Sequence, residues 1–388
     1  MVARVTSVAV DETTRNLSDG LGAGKIRGMD VHERVRGCLL GGAVGDALGA
    51  PIEFQSLREI RRQYGAEGIT GYVTDWRGKS ALITDDTQMT LFTVEGLLHA
   101  RTTGLLPLPG TPSHPDGGAQ GAPASGGPEA YGGVVAGVRQ AYLRWLDTQD
   151  HRRPPAADQP HRTGALREEE WLYSRRAPGN ACLSGLHRHF PGTSSWGEPG
   201  PVNPDSKGCG TVMRSAPFGL VTTEAREAFE LAAACAQITH GHPTGYLAAG
   251  AFAAIVARLM GGEALTAAVH QAMELLAGYP AHEETTAALR AAVALAAGGE
   301  HTPERVESLG GAWVAEEALA IGVYCALAEP VVERALLLSV NHSGDSDSTG
   351  SVCGNLLGVI HGGTGLPAAW LRPLEGRDTI ERLATELT

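Results

Sequence analysis

Apolar positions along this chain recur at the three-to-four-residue spacing of helices. From Val31 the run VHERVRGCLLGGAVGDALGA predicts one helix, and the same period predicts others over Asp86–Ala100, Val134–Leu146, Glu224–Ile238, Thr244–Met260, Ala264–Ala277, Thr285–Ala297, Trp313–Ala328 and Val331–Val340. A further helix opens at Asp345-Ser346-Asp347-Ser348 and continues through STGSVCGNLLGVIHGG. Strand-type alternation is weak throughout; its best stretch, Ile69–Val73, is short. Residues 1–29 carry no apolar period and are expected to be a flexible extension to one domain over 30–388. Three segments rich in Pro, Gly or polar residues, at about 107–130, 151–162 and 190–208, are expected to be mobile loops. They interrupt the helical pattern without dividing it into two cores.

Two of these helices carry glycine in a regular register. Gly37, Gly41, Gly45 and Gly49 are spaced by four, as are Gly350, Gly354, Gly358 and Gly362, so each set shares a helix face. Glycine costs a helix about 1 kcal/mol per residue relative to alanine. Four on one face require compensation, and the close approach of another backbone supplies it. The matching spacing favours packing of the two ridges on each other; the alternative is that each meets a different bulky helix.

Composition narrows the class. Only 5% of residues are aromatic while 52 are Gly, which suits closely packed helices rather than a β-sandwich. The net charge of -12 argues against non-specific nucleic-acid binding, which needs Lys and Arg against phosphates. Six scattered cysteines with no CxxC pair argue against a zinc site or a disulfide framework. The N-terminal stretch shows no apolar signal region, and the longest apolar run, Gly245–Ala257, ends at Arg258, short of a membrane span. A soluble cytoplasmic monomer is expected.

The candidate chemistry lies in two acidic helix starts, Thr84-Asp85-Asp86 and Asp345-Ser346-Asp347-Ser348. Each alone reads as an ordinary N-cap. Brought together, their carboxylates and hydroxyls would be hard oxygen ligands of the kind Mg²⁺ or Mn²⁺ prefer.

Five runs, in order, carry a family resemblance: GCLLGGAVGDALGAPIEF (37–54), TDDTQM (84–89), KGCGTVMRSAPFG (207–219), ITHGHPTG (238–245) and NHSGDSDSTGSVCGN (341–355). The set resembles the ADP-ribosylglycohydrolase family. That resemblance implies an all-α fold, a compact orthogonal helical bundle with long loop insertions and a metal centre in a central cleft. It implies two Mg²⁺ ions (Mn²⁺ possible) held by Thr84, Asp85, Asp86, Asp345, Asp347 and Ser348, with Glu53 and Asp347 as catalytic residues. Gly208, Cys209, Gly210, Thr211, Met213 and His240 correspond to the substrate-binding positions, and Asp46 supports the metal centre from behind. The family loop typically has Asn where this chain has Cys209. His342 is read as packing beneath the Asp345–Ser348 turn. The implied reaction is hydrolysis of the bond joining ADP-ribose to an acceptor protein or small molecule, with ADP-ribose as product. Two alternatives remain: a two-metal phosphohydrolase acting on ADP-ribose or a related nucleotide, and a non-catalytic ADP-ribose-binding protein.

Overall fold

The computed structural model of the protein describes residues 28–75, 77–106 and 127–388. The expected extension up to residue 27, and the expected loop over 107–126, lie outside the described residues. Thirteen helices of seven or more residues make up the described domain: α1 Val31–Gly49, α2 Leu57–Tyr64, α3 Asp85–Thr102, α4 Gly132–Asp150, α5 Asn180–Leu186, α6 Ala225–Ala236, α7 Pro243–Met260, α8 Leu265–Leu276, α9 Glu283–Ala296, α10 Ala315–Ala328, α11 Val332–Val340, α12 Ser346–His361 and α13 Arg377–Leu387. No strand occurs among the described residues, where an isolated bridge joins Gly208 and Val314. The fold is all-α.

The extended segment around Ile69 shows how a strand-like stretch is satisfied without a strand. The Asn341 side chain does the pairing: the Ile69 N–H donates to its Oδ1 at 2.8 Å, and its Nδ2 donates to the Ile69 carbonyl at 3.0 Å. One buried amide thus takes the place of a neighbouring ladder.

Helices α1 and α12 run antiparallel in the centre with their glycine ridges in contact. A Cβ placed on Gly37, Gly41 or Gly45 would overlap the carbonyl of Gly358, Gly354 or Gly350 in turn, and the converse holds from α12. The register ends at Gly49, which lies against the Ser346 backbone. Gly362, at φ +71, terminates α12, and its carbonyl carbon still faces Gly37, where a Cβ would lie 2.6 Å away. Beside the ridge, Gly42 leaves room for Asn355, whose Nδ2 donates to the Cys38 carbonyl at 2.8 Å. Backbones meeting this closely gain dispersion contact over their whole length.

Around this pair, α10 and α11 pack on α12, α13 packs on α1, and α7 bridges α6, α8 and α10. Helix α7 is long and apolar enough to cross a membrane by length and composition, but 89% of that window is buried inside the domain. Arg34 of α1 ties it down by donating to the Met260 carbonyl at 2.7 Å, satisfying a free C-terminal acceptor.

The segments at 151–162 and 190–208 are irregular. Arg162 reaches Asp147 through two bonds of 2.9 and 3.0 Å. The second segment is bonded to its neighbours through Gly200 N–H to the Gly241 carbonyl, Ser194 N–H to Gln237 and Gly197 N–H to Tyr246.

Candidate active site

The α1–α12 seam delivers two chain segments to one place. Beyond Gly49 a short 3-10 turn, Ala50–Ile52, carries Glu53 and Phe54 away from α1. At the same level α12 begins, with Asp345 as its N-cap accepting from the Ser348 N–H at 3.3 Å. The third contributor is the start of α3, capped by Thr84, whose hydroxyl oxygen accepts from the Asp86 N–H at 3.3 Å. Two polar, side-chain-capped helix N-termini, each a positive dipole end, therefore open onto a cavity of about 390 Å³.

Glu53, Asp85, Asp86, Asp345 and Asp347 line that cavity, and all are buried. Carboxylate oxygens of Glu53, Asp345 and Asp347 lie within 4.8 Å of one another. Asp85 Oδ2 accepts from the Gly179 N–H at 3.2 Å, and Asp347 Oδ1 accepts from the Ser348 N–H at 3.0 Å. Asp86 Oδ2 is buried with no partner.

The electrostatics follow from burial and like charge. Burial first, then Asp347 and Asp85, push the Glu53 carboxyl up to about 9. Burial raises Asp345 to about 6. Asp85 and Asp86 are raised by burial and by Asp347, and Asp347 by burial and Asp345. Among the described residues no Lys or Arg lines the cavity, and burial together with the Arg214 charge pulls its histidine, His240, down to about 3. Five acids thus face one another without a protein cation. The orphaned Asp86 oxygen and the all-oxygen donor set fit hard divalent cations.

Asp46 stands behind the acids rather than among them. Fully buried within α1, it accepts from the Thr84 N–H at 3.0 Å and hydroxyl at 2.8 Å, and from the Thr87 N–H at 3.1 Å and hydroxyl. Burial raises it to about 6 despite these bonds. A carboxylate from α1 thereby caps α3 from outside and fixes where Asp85 and Asp86 begin. Thr84 does not line the cavity. Its proton goes to Asp46, while one lone pair of its oxygen remains beyond the bond from Asp86. Ser348 does line the cavity, with its hydroxyl 3.9 Å from Met213 Sδ.

The glycine-rich loop forms the opposite wall: Gly208, Cys209, Gly210, Met213 and His240 all face the cavity. Burial, then the nearby Asp345 carboxylate, holds the Cys209 thiol well above its usual range. Thr211 is the exception, and the expectation that it contacts substrate is corrected here. Its side chain is fully buried and its hydroxyl donates to the Gly245 carbonyl at 2.9 Å, so its proton is committed to the fold. His342 packs beneath the α12 turn, between the Ser343 carbonyl and Thr349.

Sequence reasoning missed part of the lining. Ala177–Ala181, including the Gly179 donor to Asp85, forms one side; the Pro-Gly-Asn turn before α5 was its only local signal. Phe54 and Trp313 stack at the rim, with ring centroids 5.6 Å apart and planes 20° apart, both largely exposed. Exposed aromatics of this kind have no sequence signature.

Comparison with known proteins gives a consistent picture. A profile of the family described as ADP-ribosylglycohydrolase matches residues 27–388. The chain is 26% identical over 352 residues to the ADP-ribosyl-[dinitrogen reductase] glycohydrolase of Rhodospirillum rubrum, covering 90% of this chain and 92% of that protein. It is 24% identical over 401 residues to the ADP-ribosylhydrolase ARH3 of Bos taurus, covering 94% of each. A solved structure described as an ADP-ribosylglycohydrolase-related protein complex superposes with a TM-score of 0.55 at 25% identity, over 92% of this chain and 97% of the other.

Proposed function

The chain belongs to the ADP-ribosylglycohydrolase family, and we propose that it cleaves the glycosidic bond between ADP-ribose and an acceptor protein or small molecule, releasing ADP-ribose. The observation that carries this reading is the set of five buried carboxylates with no basic partner, one of them with an orphaned oxygen. Asp85, Asp86, Asp345 and Asp347, with Thr84 and Ser348, would hold two Mg²⁺ or Mn²⁺ ions. Such ions, when bound, supply Lewis acidity beside the ribose hydroxyls and lower the pKa of a bound water.

The remaining work falls to the chain itself. Asp46 holds the start of α3, so the α3 acids are placed before substrate arrives. Glu53 lies against Asp347 at the end of the α1 turn. From there it can orient the ribose or the attacking water and carry a proton between water and the departing acceptor. Hydrolysis delivers the water oxygen to the anomeric carbon and a proton to the acceptor atom. Across the cavity, the Cys209 N–H is held by the Trp313 carbonyl at 3.2 Å, while the Gly208 and Gly210 N–H groups and His240 can donate to the diphosphate. That contact is a handle whose binding energy aligns the sugar for attack.

The test is product analysis. Defined ADP-ribosylated arginine, serine and small-molecule substrates are incubated with the protein in Mg²⁺ or Mn²⁺, and products are separated by chromatography. Free ADP-ribose, lost on adding a chelator, is expected. AMP with ribose phosphate as the main products would replace this reading with a two-metal phosphohydrolase, and no turnover of any substrate would leave a binding protein.

A further inference from the structure

Behind the glycine-rich wall lies a buried cation without a buried anion. Arg214 is 1% exposed, and no carboxylate pairs with it among the described residues. Its guanidinium sits 4.5 Å from the centre of the Tyr142 ring and donates toward Cys182 Sγ at 3.4 Å and Met89 Sδ at 3.5 Å. Its one strong acceptor is Thr239 Oγ1, 2.7 Å from Nη2. The same hydroxyl lies 2.8 Å from His240 Nδ1. Among the described residues these are the only side-chain partners of Thr239 Oγ1.

Proton accounting settles the direction of this chain. Arg214 can only donate, so Thr239 Oγ1 accepts from it. Thr239 is fully buried, and its single proton has one available acceptor, His240 Nδ1. The opposite arrangement, with a protonated Nδ1 donating to the hydroxyl, would bury the threonine proton without any acceptor, at the full desolvation cost of an unmet donor. Nδ1 is therefore the acceptor, and the ring proton resides on Nε2.

Nε2 has no protein partner among the described residues, and it faces the cavity wall. A Cβ on Gly208 would lie 3.1 Å from His240 Nε2, and one on Gly210 would lie 3.1 Å from His240 Cε1. Both glycines line the cavity with His240, so their lack of side chains leaves the ring edge open to a ligand. Among the described residues the Gly210 N–H makes no bond to another element.

We propose that Arg214 and Thr239 are positioning residues that lock His240 as a neutral Nε2–H donor, so that His240 and the Gly210 N–H together bind an anionic oxygen of the ligand. The inference rests on the reading of the cavity as an ADP-ribose site, with the diphosphate as the source of that oxygen. Burial and the Arg214 charge also disfavour a second proton on the ring, so the donor stays in one form through the neutral range. An imidazole locked in this way selects for an acceptor atom and against a ligand group that must itself donate.

The experiment reads the tautomer directly and binding separately. Nitrogen-15 NMR of histidine-labelled, metal-loaded full-length protein, with the His240 signals identified by their loss in His240→Asn, should show Nε2 protonated and Nδ1 bare at neutral pH. Thr239→Val removes the hydroxyl at nearly constant volume and should give a mixture of tautomers, with ADP-ribose affinity by calorimetry weakened about ten- to hundredfold. Thr239→Ser restores the hydroxyl and should return both readouts to within about twofold of wild type, as expected if the hydroxyl bond is what matters. A protonated Nδ1 or an imidazolium in the wild-type protein overturns the proposal, whatever the variants do. Unchanged tautomer and affinity in Thr239→Val would overturn it as well. If ADP-ribose fails to bind the wild-type protein, the assignment of the cavity falls while the tautomer measurement still decides the role of Thr239.

Discussion

Following α12 from its middle to its N-terminus passes from a close-packed seam to a cavity walled by five carboxylates. In the seam, Gly350, Gly354 and Gly358 meet Gly45, Gly41 and Gly37 backbone to backbone, with no side chain between them. One turn further on, Asp345 and Asp347 face Glu53, Asp85 and Asp86, each raised in pKa chiefly by burial. The seam is favourable in itself and intolerant of any added atom. The cavity crowds buried like charges and is unfavourable in itself. The first holds the second in place: carboxylate oxygens of Glu53, Asp345 and Asp347 stay within 4.8 Å of one another because α1 and α12, which carry them, are packed backbone to backbone.

The largest effect should come from removing one acid. Asp86→Asn or Asp345→Asn should lower turnover by orders of magnitude, while the metal-free protein melts higher because one buried like charge is gone. The rise in melting temperature on adding Mg²⁺ should shrink in both. Normal turnover with a normal metal response would place the cation elsewhere.

The seam should respond in the opposite sense. Gly45→Leu or Gly354→Leu drives a side chain into a facing carbonyl and should cost about 3 kcal/mol or more, as in severe overpacking. Urea unfolding measures it, and an unchanged midpoint would show that the two helices do not touch there. Asp46→Asn lies between the regions. It leaves buried N–H and hydroxyl donors of Thr84 and Thr87 facing an amide, at about 1–3 kcal/mol. Metal affinity, read by calorimetry, should weaken about ten- to hundredfold, as for other groups that support ligands.

The smallest effect is a slope with pH. Asp and Glu in an unfolded chain titrate near 3.9 and 4.3, whereas Asp345 is raised to about 6 and Glu53 to about 9. Their contribution is fully present below about pH 4; between the unfolded and folded values they are protonated in the fold and ionised in the unfolded chain, so stability is lost as pH rises to the folded values. In chelator, the melting temperature should therefore fall from about pH 4 to pH 9. Excess Mg²⁺ should flatten the fall over the neutral range, and identical slopes with and without the ion would separate the acids from any bound cation.

Much of this contrast was legible in the chain. The four-residue glycine spacing identified both faces of the seam, since only a backbone partner repays that many helical glycines. The acidic starts of α3 and α12 were legible because capping needs one carboxylate and each offers two. Helix α2 was not read, although Ser56 and Glu59 form a capping box that marks its start; with Leu57 and Ile60 its only buried residues, it has too little apolar period. Helix α13 was overlooked despite its buried Ile380, Leu383, Ala384 and Leu387. Thr211 looked like a phosphate contact because hydroxyls often serve that role in glycine-rich loops; its commitment to the Gly245 carbonyl depends on a residue far along the chain. The Arg214–Thr239–His240 order was out of reach for the same reason, since adjacency of Thr239 and His240 does not reveal which proton lies between them.

The seam also makes the protein a gauge of its own completeness. Asn355 bonds the Cys38 carbonyl across 317 residues of chain, so α1 leaves the ribosome long before the helix that covers its glycine face. Contacts that distant are late to form and slow to close. A polypeptide stopped before residue 341 would carry Asp85 and Asp86 without Asp345 or Asp347, and α1 without its partner. Chains shortened by translation errors would lack half the acid set and the cover of the α1 glycine face, so limited proteolysis should cut them faster than the finished product.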